Sequence, residues 1–191
     1  MTGSDVLSST SHACAETLVS LTADSTHPLR DKTVVELGAG TGIVGILASY
    51  YGSKSIITDF DSLVPLIRFN IDQNVGLIRG SAVGQPLCWG DTIPSTIGIP
   101  DYLVLANCVY YESSLEPLLE TVLELTDQRS VVLACYEERT PEIKGLVGRW
   151  HDLVEQHFEL EEVDKRYLQN SYWKEYVRVV LMRRRKIAKI G

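Results

Sequence analysis

The chain has 191 residues, of which 45% are hydrophobic and 23% charged, and its net charge is −7. These values are those of an ordinary globular protein, so we expect one domain over residues 1–191. No apolar run approaches the ~20 residues of a membrane span, and the first ten residues lack the pattern of a signal peptide. We therefore expect no membrane partner and a cytoplasmic or nuclear location.

The four cysteines lack the paired spacing typical of zinc sites or disulfide frameworks. We expect no metal and four reduced, buried thiols. Six basic residues and no acids lie between Arg178 and the end, which leaves the rest of the chain strongly acidic. Because this acidic part would repel phosphates, we expect no nucleic-acid partner. The basic tail at 183–191 is either a solvated strand end, which we favour, or a nuclear-import or docking patch.

The chain begins with a Ser/Thr-rich stretch, and we expect residues 1–11 to be loose. Helical spacing follows from Ala13 to Leu21. A short apolar strand from Thr33 to Leu37 leads into a glycine-rich turn, and a helix runs from Ile43 to Tyr51. Gly52 is placed to end that helix.

The glycine-rich turn is the strongest signal in the chain. Strand, turn and helix are typical of the first crossover of a doubly wound nucleotide-binding sheet. Gly38, Ala39 and Gly40 allow a ligand to lie against bare backbone, and the helix start attracts anionic groups. Glu36 at the strand end would repel a phosphate and attract an ammonium. S-adenosylmethionine carries both an ammonium and a carboxylate, which favours it as the ligand.

A dinucleotide site is the alternative, because Gly40 to Gly45 also fits the pattern G-x-G-x-x-G. That pattern begins late, since Gly38 already starts the turn, and the acid before it does not suit pyrophosphate. A tight turn without any ligand is the third interpretation.

Two further candidates follow along the chain. Asp59 ends a second strand that begins at Ser55, and a carboxylate there can accept hydrogen bonds from ribose hydroxyls or cap the next helix. We predict that Leu87 to Asp91 is a short third strand and the loop after it. The Trp89 ring could stack on an adenine or belong to the core.

Four more strands complete the predicted sheet. Asp101 to Ala106 is a continuous apolar run, as expected of a central parallel strand, and further strands are predicted over 130–135, 158–163 and 176–182. Helices are predicted from Ser113 or Ser114 onward and over 142–157. The pattern predicts an α/β domain with a parallel sheet and a terminal strand pair.

Five separated motifs then occur in a recognisable order, namely Glu36-Leu37-Gly38-Ala39-Gly40-Thr41-Gly42, Thr58-Asp59, Leu87-Cys88-Trp89-Gly90, Ala106-Asn107-Cys108-Val109-Tyr110-Tyr111 and Cys135-Tyr136-Glu137-Glu138-Arg139-Thr140. Together they resemble the seven-β-strand protein-lysine methyltransferases, and above all the members that act on valosin-containing protein. The resemblance implies a Rossmann-like sheet of seven strands, mostly parallel with the last strand antiparallel, and helices on both faces.

The resemblance also implies roles for single residues, with S-adenosylmethionine lying across the strand ends. Gly38, Ala39 and Gly40 would line its methionine part, and Glu36 would lie below its amino group. Asp59 would bind the ribose. Further residues would border the adenine (Trp89, Ala106) and receive the target lysine as catalytic residues (Asn107, Tyr110).

Two features depart from that family pattern. The family has Asp or Glu where this chain has Asn107, and it has a tryptophan before the first helix where this chain has Ser11 to Cys14. Three functions therefore stay open: a protein-lysine methyltransferase acting on a AAA ATPase similar to valosin-containing protein, a weakly active or inactive relative that binds a partner, and a small-molecule methyltransferase. We expect a monomer.

Overall fold

The computed structural model describes residues 9–20, 29–164 and 175–186. Within these ranges five α-helices and seven strands follow one another: α1 Ser9–Ser20, β1 Thr33–Leu37, α2 Ile43–Tyr50, β2 Lys54–Asp59, α3 Val64–Gln73, β3 Ser81–Pro86, β4 Tyr102–Ala106, α4 Leu115–Glu124, β5 Val131–Glu137, α5 Pro141–Val154, β6 Phe158–Glu162 and β7 Val177–Arg184. Short 3-10 turns, Asp61–Leu63 and Glu112–Ser114, precede α3 and α4.

All seven strands form one sheet in the order β3-β2-β1-β4-β5-β7-β6. Neighbours from β3 to β5 pair in parallel, whereas β7 runs antiparallel to both β5 and β6. The order reverses between β1 and β4, because β2 and β3 lie on one side of β1 and β5 lies beyond β4. In such sheets ligands bind in the crevice outside the carboxyl ends of the strands at this reversal.

Alternate residues of the central strands face two separate helical layers. Val34 and Val104 pack into the cluster that contains α1 and α2, while Val35 and Leu105 pack into the cluster of α4 and α5. A smaller cluster joins α2, β2 and α3 through Ile46, Ile57 and Ile67. Because helices cover both faces of the sheet, β1, β4 and β5 are buried almost throughout. Their sequences are therefore nearly continuous apolar runs. The predicted fold class is confirmed.

The third strand was predicted in the wrong place. The strand is Ser81–Pro86, and Leu87, Cys88 and Trp89 belong to the loop after it. This strand is the edge of the sheet, and only Gly84 is buried along it, so it lacks an apolar pattern. A proline is tolerated at its end because an edge strand need not donate every backbone N–H.

Two smaller expectations also need correction, whereas the described part of the basic tail is the strand end that was favoured. Residues 9–11, expected to be loose, form the first turn of α1, and residues 1–8 lie outside the described part. Cys88 is exposed, whereas Cys14, Cys108 and Cys135 are buried as expected. The predicted basic tail begins inside the sheet, because Arg183 and Arg184 end β7, and the Arg183 guanidinium lies 3.0 Å from Glu161. None of the described helices is long and apolar enough to cross a bilayer.

Candidate functional site

The turn between β1 and α2 forms the floor of the crevice. Gly38, Gly40 and Gly42 have φ angles of 58°, 55° and 79°, in the left-handed region that other residues enter at a cost. A Cβ added to Gly40 would meet no atom within 4 Å. The backbone at Gly40 therefore faces open space, as it must if a ligand is to lie against it.

The Glu36 carboxylate holds the start of α2. Its Oε2 accepts a hydrogen bond of 2.7 Å from the Gly45 N–H. Burial raises the pKa of Glu36 to about 8, although the backbone N–H groups of Gly45 and Val44 favour the charged form. Glu36 thus fixes the turn between strand and helix, and its predicted contact with a ligand ammonium stays a prediction.

Gly45 explains why the chain also fits the dinucleotide pattern. A Cβ at this position would lie 2.5 Å from Cγ1 of Ile57 and 3.0 Å from Oε2 of Glu36. The third glycine of G-x-G-x-x-G is therefore needed for close packing of α2 on β2, whichever nucleotide is bound. No role was predicted for Gly45, although its position nine residues after Glu36 is visible in the sequence.

Asp59 joins the end of β2 to the glycine turn. Its Oδ2 accepts a hydrogen bond of 2.7 Å from the Gly40 N–H, and its Oδ1 accepts one of 2.7 Å from the Phe60 N–H. A carboxylate oxygen has more than one acceptor position, so both oxygens still have capacity for a vicinal diol. The carboxylate predicted to bind the ribose is therefore bonded to the backbone of Gly40, which was predicted to line the methionine part of the donor.

The loops after β3 and β4 close the crevice over Gly38. A Cβ on Gly38 would lie 2.8 Å from Cζ2 of Trp89 and 3.2 Å from Sγ of Cys108. The Cys108 thiol donates a hydrogen bond of 3.1 Å to the carbonyl of Leu37. Trp89 is therefore a wall of the predicted donor site and also packs against the α4 and α5 core. Stacking on an adenine and packing in the core were predicted as alternatives for this ring.

Asn107 follows β4 directly and has a left-handed backbone conformation. Its φ is 60°, one of two positive values among the described residues other than glycine, and its backbone N–H donates to the carbonyl of Cys135 at 2.8 Å. Within the described part of the chain, the side-chain amide of Asn107 makes no hydrogen bond. Ala106 before it is half-buried and packs toward α1 and α2. The amide of Asn107 therefore has hydrogen-bonding capacity that no other described residue uses.

Two tyrosines follow on the surface of the same loop. Tyr110 is 42% exposed and Tyr111 is 66% exposed, whereas Cys108 and Val109 before them are buried. The Tyr110 ring lies 6.4 Å from the Trp89 ring and 4.9 Å from the Tyr111 ring, centroid to centroid. Partial burial raises the pKa of Tyr110, and the negative charge of Asp59 adds to the effect. Tyr110 was predicted to be a catalytic residue, whereas no role was predicted for Tyr111.

Three pairs of the predicted site residues are in contact at one edge of the sheet, whereas the two residues predicted to border the adenine pack into different layers, Ala106 toward α1 and α2 and Trp89 toward α4 and α5. Asp59 bonds Gly40, Trp89 covers Gly38, and Tyr110 lies beside Trp89 at the end of the β4 loop. Among the described residues, no group of three or more His, Cys, Asp or Glu side chains could hold a metal ion.

Comparisons with known proteins identify the family. Residues 7–166 match the family model described as lysine methyltransferase. The chain belongs to the lysine methyltransferase family. It is 34% identical to protein N-lysine methyltransferase METTL21A of Xenopus tropicalis over 141 residues, which cover 71% of this chain and 61% of that protein. It is 32% identical to protein-lysine methyltransferase METTL21E of Mus musculus, over 70% of this chain and 55% of that one. The chain thus spans between half and two thirds of the length of these two relatives.

Solved structures show the same fold in more distant proteins. A TehB-like SAM-dependent methyltransferase from Corynebacterium glutamicum aligns with a TM-score of 0.61 and 16% identity, over 96% of this chain and 90% of that chain. The ribosomal protein L11 methylase from Lactobacillus delbrueckii subsp. bulgaricus aligns with a TM-score of 0.62 and 17% identity, over 90% and 78%.

The family and the fold imply S-adenosylmethionine as the methyl donor. The crevice fits this molecule in two respects: the space at Gly40 is open, and the Asp59 carboxylate bonded to the Gly40 N–H has further acceptor positions. This outcome agrees with the preference for a methyl donor over a dinucleotide. Which single residues touch the donor remains a prediction.

Proposed function

We propose that this member of the lysine methyltransferase family transfers a methyl group from S-adenosylmethionine to a lysine of a protein, and that the protein is a AAA ATPase similar to valosin-containing protein. The observation that carries the proposal is the unpaired side-chain amide of Asn107, on the loop whose Cys108 and Tyr110 contact the walls of the donor crevice. The two relatives named above are described as lysine methyltransferases, which supports a lysine as the acceptor.

The chemistry requires a neutral amine whose lone pair points at the methyl carbon of the donor's sulfonium. A lysine with an ordinary pKa near 10.4 is neutral only about one part in a thousand at neutral pH, a deficit of roughly 4 kcal/mol. The carbonyl oxygen of Asn107 accepts an N–H of the amine and so orients its lone pair. A carboxylate at this position would bind the ammonium more strongly but would also raise its pKa.

Other residues hold and enclose the reactants. Asp59 would accept hydrogen bonds from the ribose of the donor, and the open backbone at Gly40 would lie under its methionine part. Trp89 and Tyr110 would wall the crevice and exclude water from the amine. These roles use the geometry described above: the Asp59 bond to Gly40, the Trp89 ring over Gly38 and the adjacent Tyr110 ring.

The experiment incubates the full chain with labelled S-adenosylmethionine, first with the AAA ATPase and then with whole-cell extract. Mass spectrometry then locates the methyl groups added. We expect label on a lysine of the ATPase with the natural chain and none with Gly40→Arg, whose side chain would fill the donor space. Label on other proteins only would refute the proposed substrate. Label on small metabolites and never on protein would favour a small-molecule methyltransferase.

A second candidate function rests on Asn107 itself. The family pattern noted above has an acid at this position, so the chain could be a relative that binds a partner without catalysis. Calorimetric titration with S-adenosylmethionine separates the two, because a relative without catalysis has no need of the donor. Donor binding together with methylated lysine excludes the second candidate, and the absence of heat at millimolar donor would exclude the first.

A further inference from the structure

A surface hollow at the far end of the sheet from the donor crevice has no role in the proposed methyl transfer. Its volume is about 440 Å³, and it lies where β2 and β3 begin, at Lys54 and Ser81. β2 runs from Lys54 at this hollow to Asp59 at the crevice. Because a strand rises roughly 3.3 Å per residue, about 17 Å separate the two ends. The hollow is therefore distinct from the donor site.

Three cations and one acid line this basic hollow among the described residues: Arg30, Lys54, Arg79 and Asp31. Arg30 and Lys54 are exposed, and in the described part of the chain their side chains have no ion pair or hydrogen bond. The Arg79 guanidinium lies over the Tyr50 ring, 4.8 Å from its centroid. The net charge of the whole chain is −7, so this local excess of cations is a place where an acidic ligand can approach.

The floor of the basic hollow is fixed by close backbone contacts. A Cβ on Gly80 would collide with the carbonyl oxygen of Ser53, and a Cβ on Gly52 would lie 3.2 Å from Cα of Arg30. The backbone N–H groups of Gly52, Gly80 and Ser81 all donate to backbone carbonyls. An anion in the basic hollow would therefore be bound by the charged side chains, on a backbone that is already ordered.

An apolar hollow of about 230 Å³ adjoins the basic hollow. Tyr50 lines the apolar hollow and is also the ring that Arg79 covers, so the two hollows meet there. One side of the apolar hollow is a stripe of α2 at helical spacing, and the other side is the end of α3 and the loop after it. The lining residues are Ile43, Ile46, Leu47 and Tyr50 on the first side and Asn74, Leu77 and Ile78 on the second.

The apolar surface continues beyond the apolar hollow. Leu77 is 59% exposed and Val75 is 68% exposed. A small anion in the basic hollow would leave both side chains in water, and a nucleic acid has no aliphatic side chains to cover them. A protein segment can supply carboxylates and aliphatic side chains together, and exposed apolar patches with a polar rim are typical of protein interaction sites.

We propose that the basic hollow and the apolar hollow together form a docking site for a segment of a partner protein in which acidic residues flank a large aliphatic residue. The aliphatic side chain fills the apolar hollow beside Leu77, and the carboxylates pair with Arg30, Lys54 and Arg79. This inference goes beyond the proposed methyl transfer and does not depend on it. Because the docking site lies at the opposite strand ends, the donor crevice stays accessible when the segment is bound.

Model peptides test the docking site without a known partner. The probe is acetyl-Glu-Leu-Glu-Glu-Leu-Glu-amide, and two matched peptides replace every Glu by Lys or every Leu by Ser. Each peptide is titrated into the isotope-labelled full chain and followed by NMR. We expect the Glu/Leu peptide to bind at least about fivefold more tightly than either matched peptide, since it alone combines ion pairs with apolar burial.

The same spectra locate the bound peptide. The largest shifts should belong to backbone amides of residues 43–54 and 74–81. Shifts confined to the donor crevice would overturn the proposal. The absence of binding at millimolar Glu/Leu peptide, or equal affinity for either matched peptide, would overturn it as well.

Two variants assign the binding to the two hollows. Lys54→Glu reverses one cation and Leu77→Asn removes one aliphatic side chain, and each should weaken binding of the Glu/Leu peptide at least about threefold. Lys144→Glu on α5 and Ile99→Asn before β4 are the matched controls, since both residues are exposed and lie outside the two hollows. Unchanged affinity in Lys54→Glu or Leu77→Asn, or an equal loss in the controls, would refute the proposal.

Two further titrations separate the docking site from other kinds of site. A single-stranded oligothymidylate should bind more weakly than the Glu/Leu peptide, and tighter binding that Lys54→Glu abolishes would show a nucleic-acid site instead. Saturating Glu/Leu peptide should leave the dissociation constant of S-adenosylmethionine within about twofold, because separate sites without coupling do not affect each other's affinity. Competition between the peptide and S-adenosylmethionine would show that the peptide binds in the donor crevice and would overturn the proposal.

Discussion

The turn after β1 and the loop after β4 face the same crevice but are built differently. In the β1 turn, Gly45 donates a hydrogen bond to Glu36 and Gly40 donates one to Asp59, so the two acidic side chains fix the backbone. In the β4 loop, the Asn107 amide and the two tyrosine rings make no such bonds within the described part of the chain. The methyl donor is the same for every substrate, so a turn that is already formed can bind it. A protein acceptor instead requires side chains whose hydrogen-bonding capacity is not used within the fold.

Filling the space at Gly40 should weaken donor binding, and this is the largest effect that we expect. Gly40→Arg places a long side chain in the open region and should weaken donor binding by at least about a hundredfold, nearly 3 kcal/mol. Its positive φ adds about 1–2 kcal/mol of strain, so the melting temperature should fall by a few degrees only. Calorimetry with S-adenosylmethionine measures the first effect and thermal unfolding the second.

The control for this change is Gly76→Arg. Gly76 is exposed in the loop after α3, and a Cβ there meets no atom within 4 Å. The same charge at this position should leave donor binding intact. Equal loss in both variants would show that added charge, and not filled space, explains the result.

Adding one methyl group at Gly45 tests whether the turn depends on close packing. Gly45→Ala forces its Cβ against Ile57 and the Glu36 carboxyl, so we expect a loss of about 1–3 kcal/mol in the free energy of unfolding. Gly148→Ala in α5 is the matched control, since its Cβ would meet nothing within 4 Å. It should raise stability by up to about 1 kcal/mol, because alanine favours helix. Both variants are measured by denaturant unfolding. An unchanged free energy of unfolding in Gly45→Ala would contradict the account.

The buried Glu36 predicts a pH dependence of stability. Its pKa of about 8 in the folded chain compares with an ordinary value of 4.5. The fold holds this proton more tightly than the unfolded chain, so Glu36 stabilises the fold below pH 4.5 and the contribution is lost as the pH rises toward 8. Relative to Glu36→Gln, the natural chain should lose about 2 kcal/mol between about pH 6 and pH 8. The free energy of unfolding of both chains is measured in urea at each pH. If it changed with pH in the same way for both, Glu36 would not titrate in this range.

These tests also mark where sequence reasoning succeeded. The apolar runs of β1, β4 and β5 located those strands to within about two residues, because strands buried on both faces leave a continuous signal. The edge strand Ser81–Pro86 carries no such signal and was missed. The glycine turn was recognised because its backbone needs glycine at fixed positions.

Other features depend on residues far apart in the chain. The bond from the Gly45 N–H to Glu36 exists only once α2 has formed, and the contact between Trp89 and Gly38 only once the β3 loop folds over the crevice. The positive φ of Asn107 and its unpaired amide likewise depend on the neighbouring β5 strand, whose Cys135 carbonyl holds the Asn107 N–H. No local pattern in the sequence reports them.

The central claim of the account is that Asn107 orients the target amine. The most direct test of this claim has the smallest expected effect. Asn107→Gly removes the amide while allowing the same positive φ, so the fold should be unaffected. On a protein lysine that the natural chain methylates, we predict that the turnover of this variant falls at least tenfold, about 1.4 kcal/mol. The dissociation constant of S-adenosylmethionine should stay within about twofold. Asn107→Ala should lose as much turnover with a less stable fold, and Asn107→Asp should shift half-maximal activity to higher pH. Unchanged turnover in Asn107→Gly, or activity seen only in Asn107→Asp, would contradict the account.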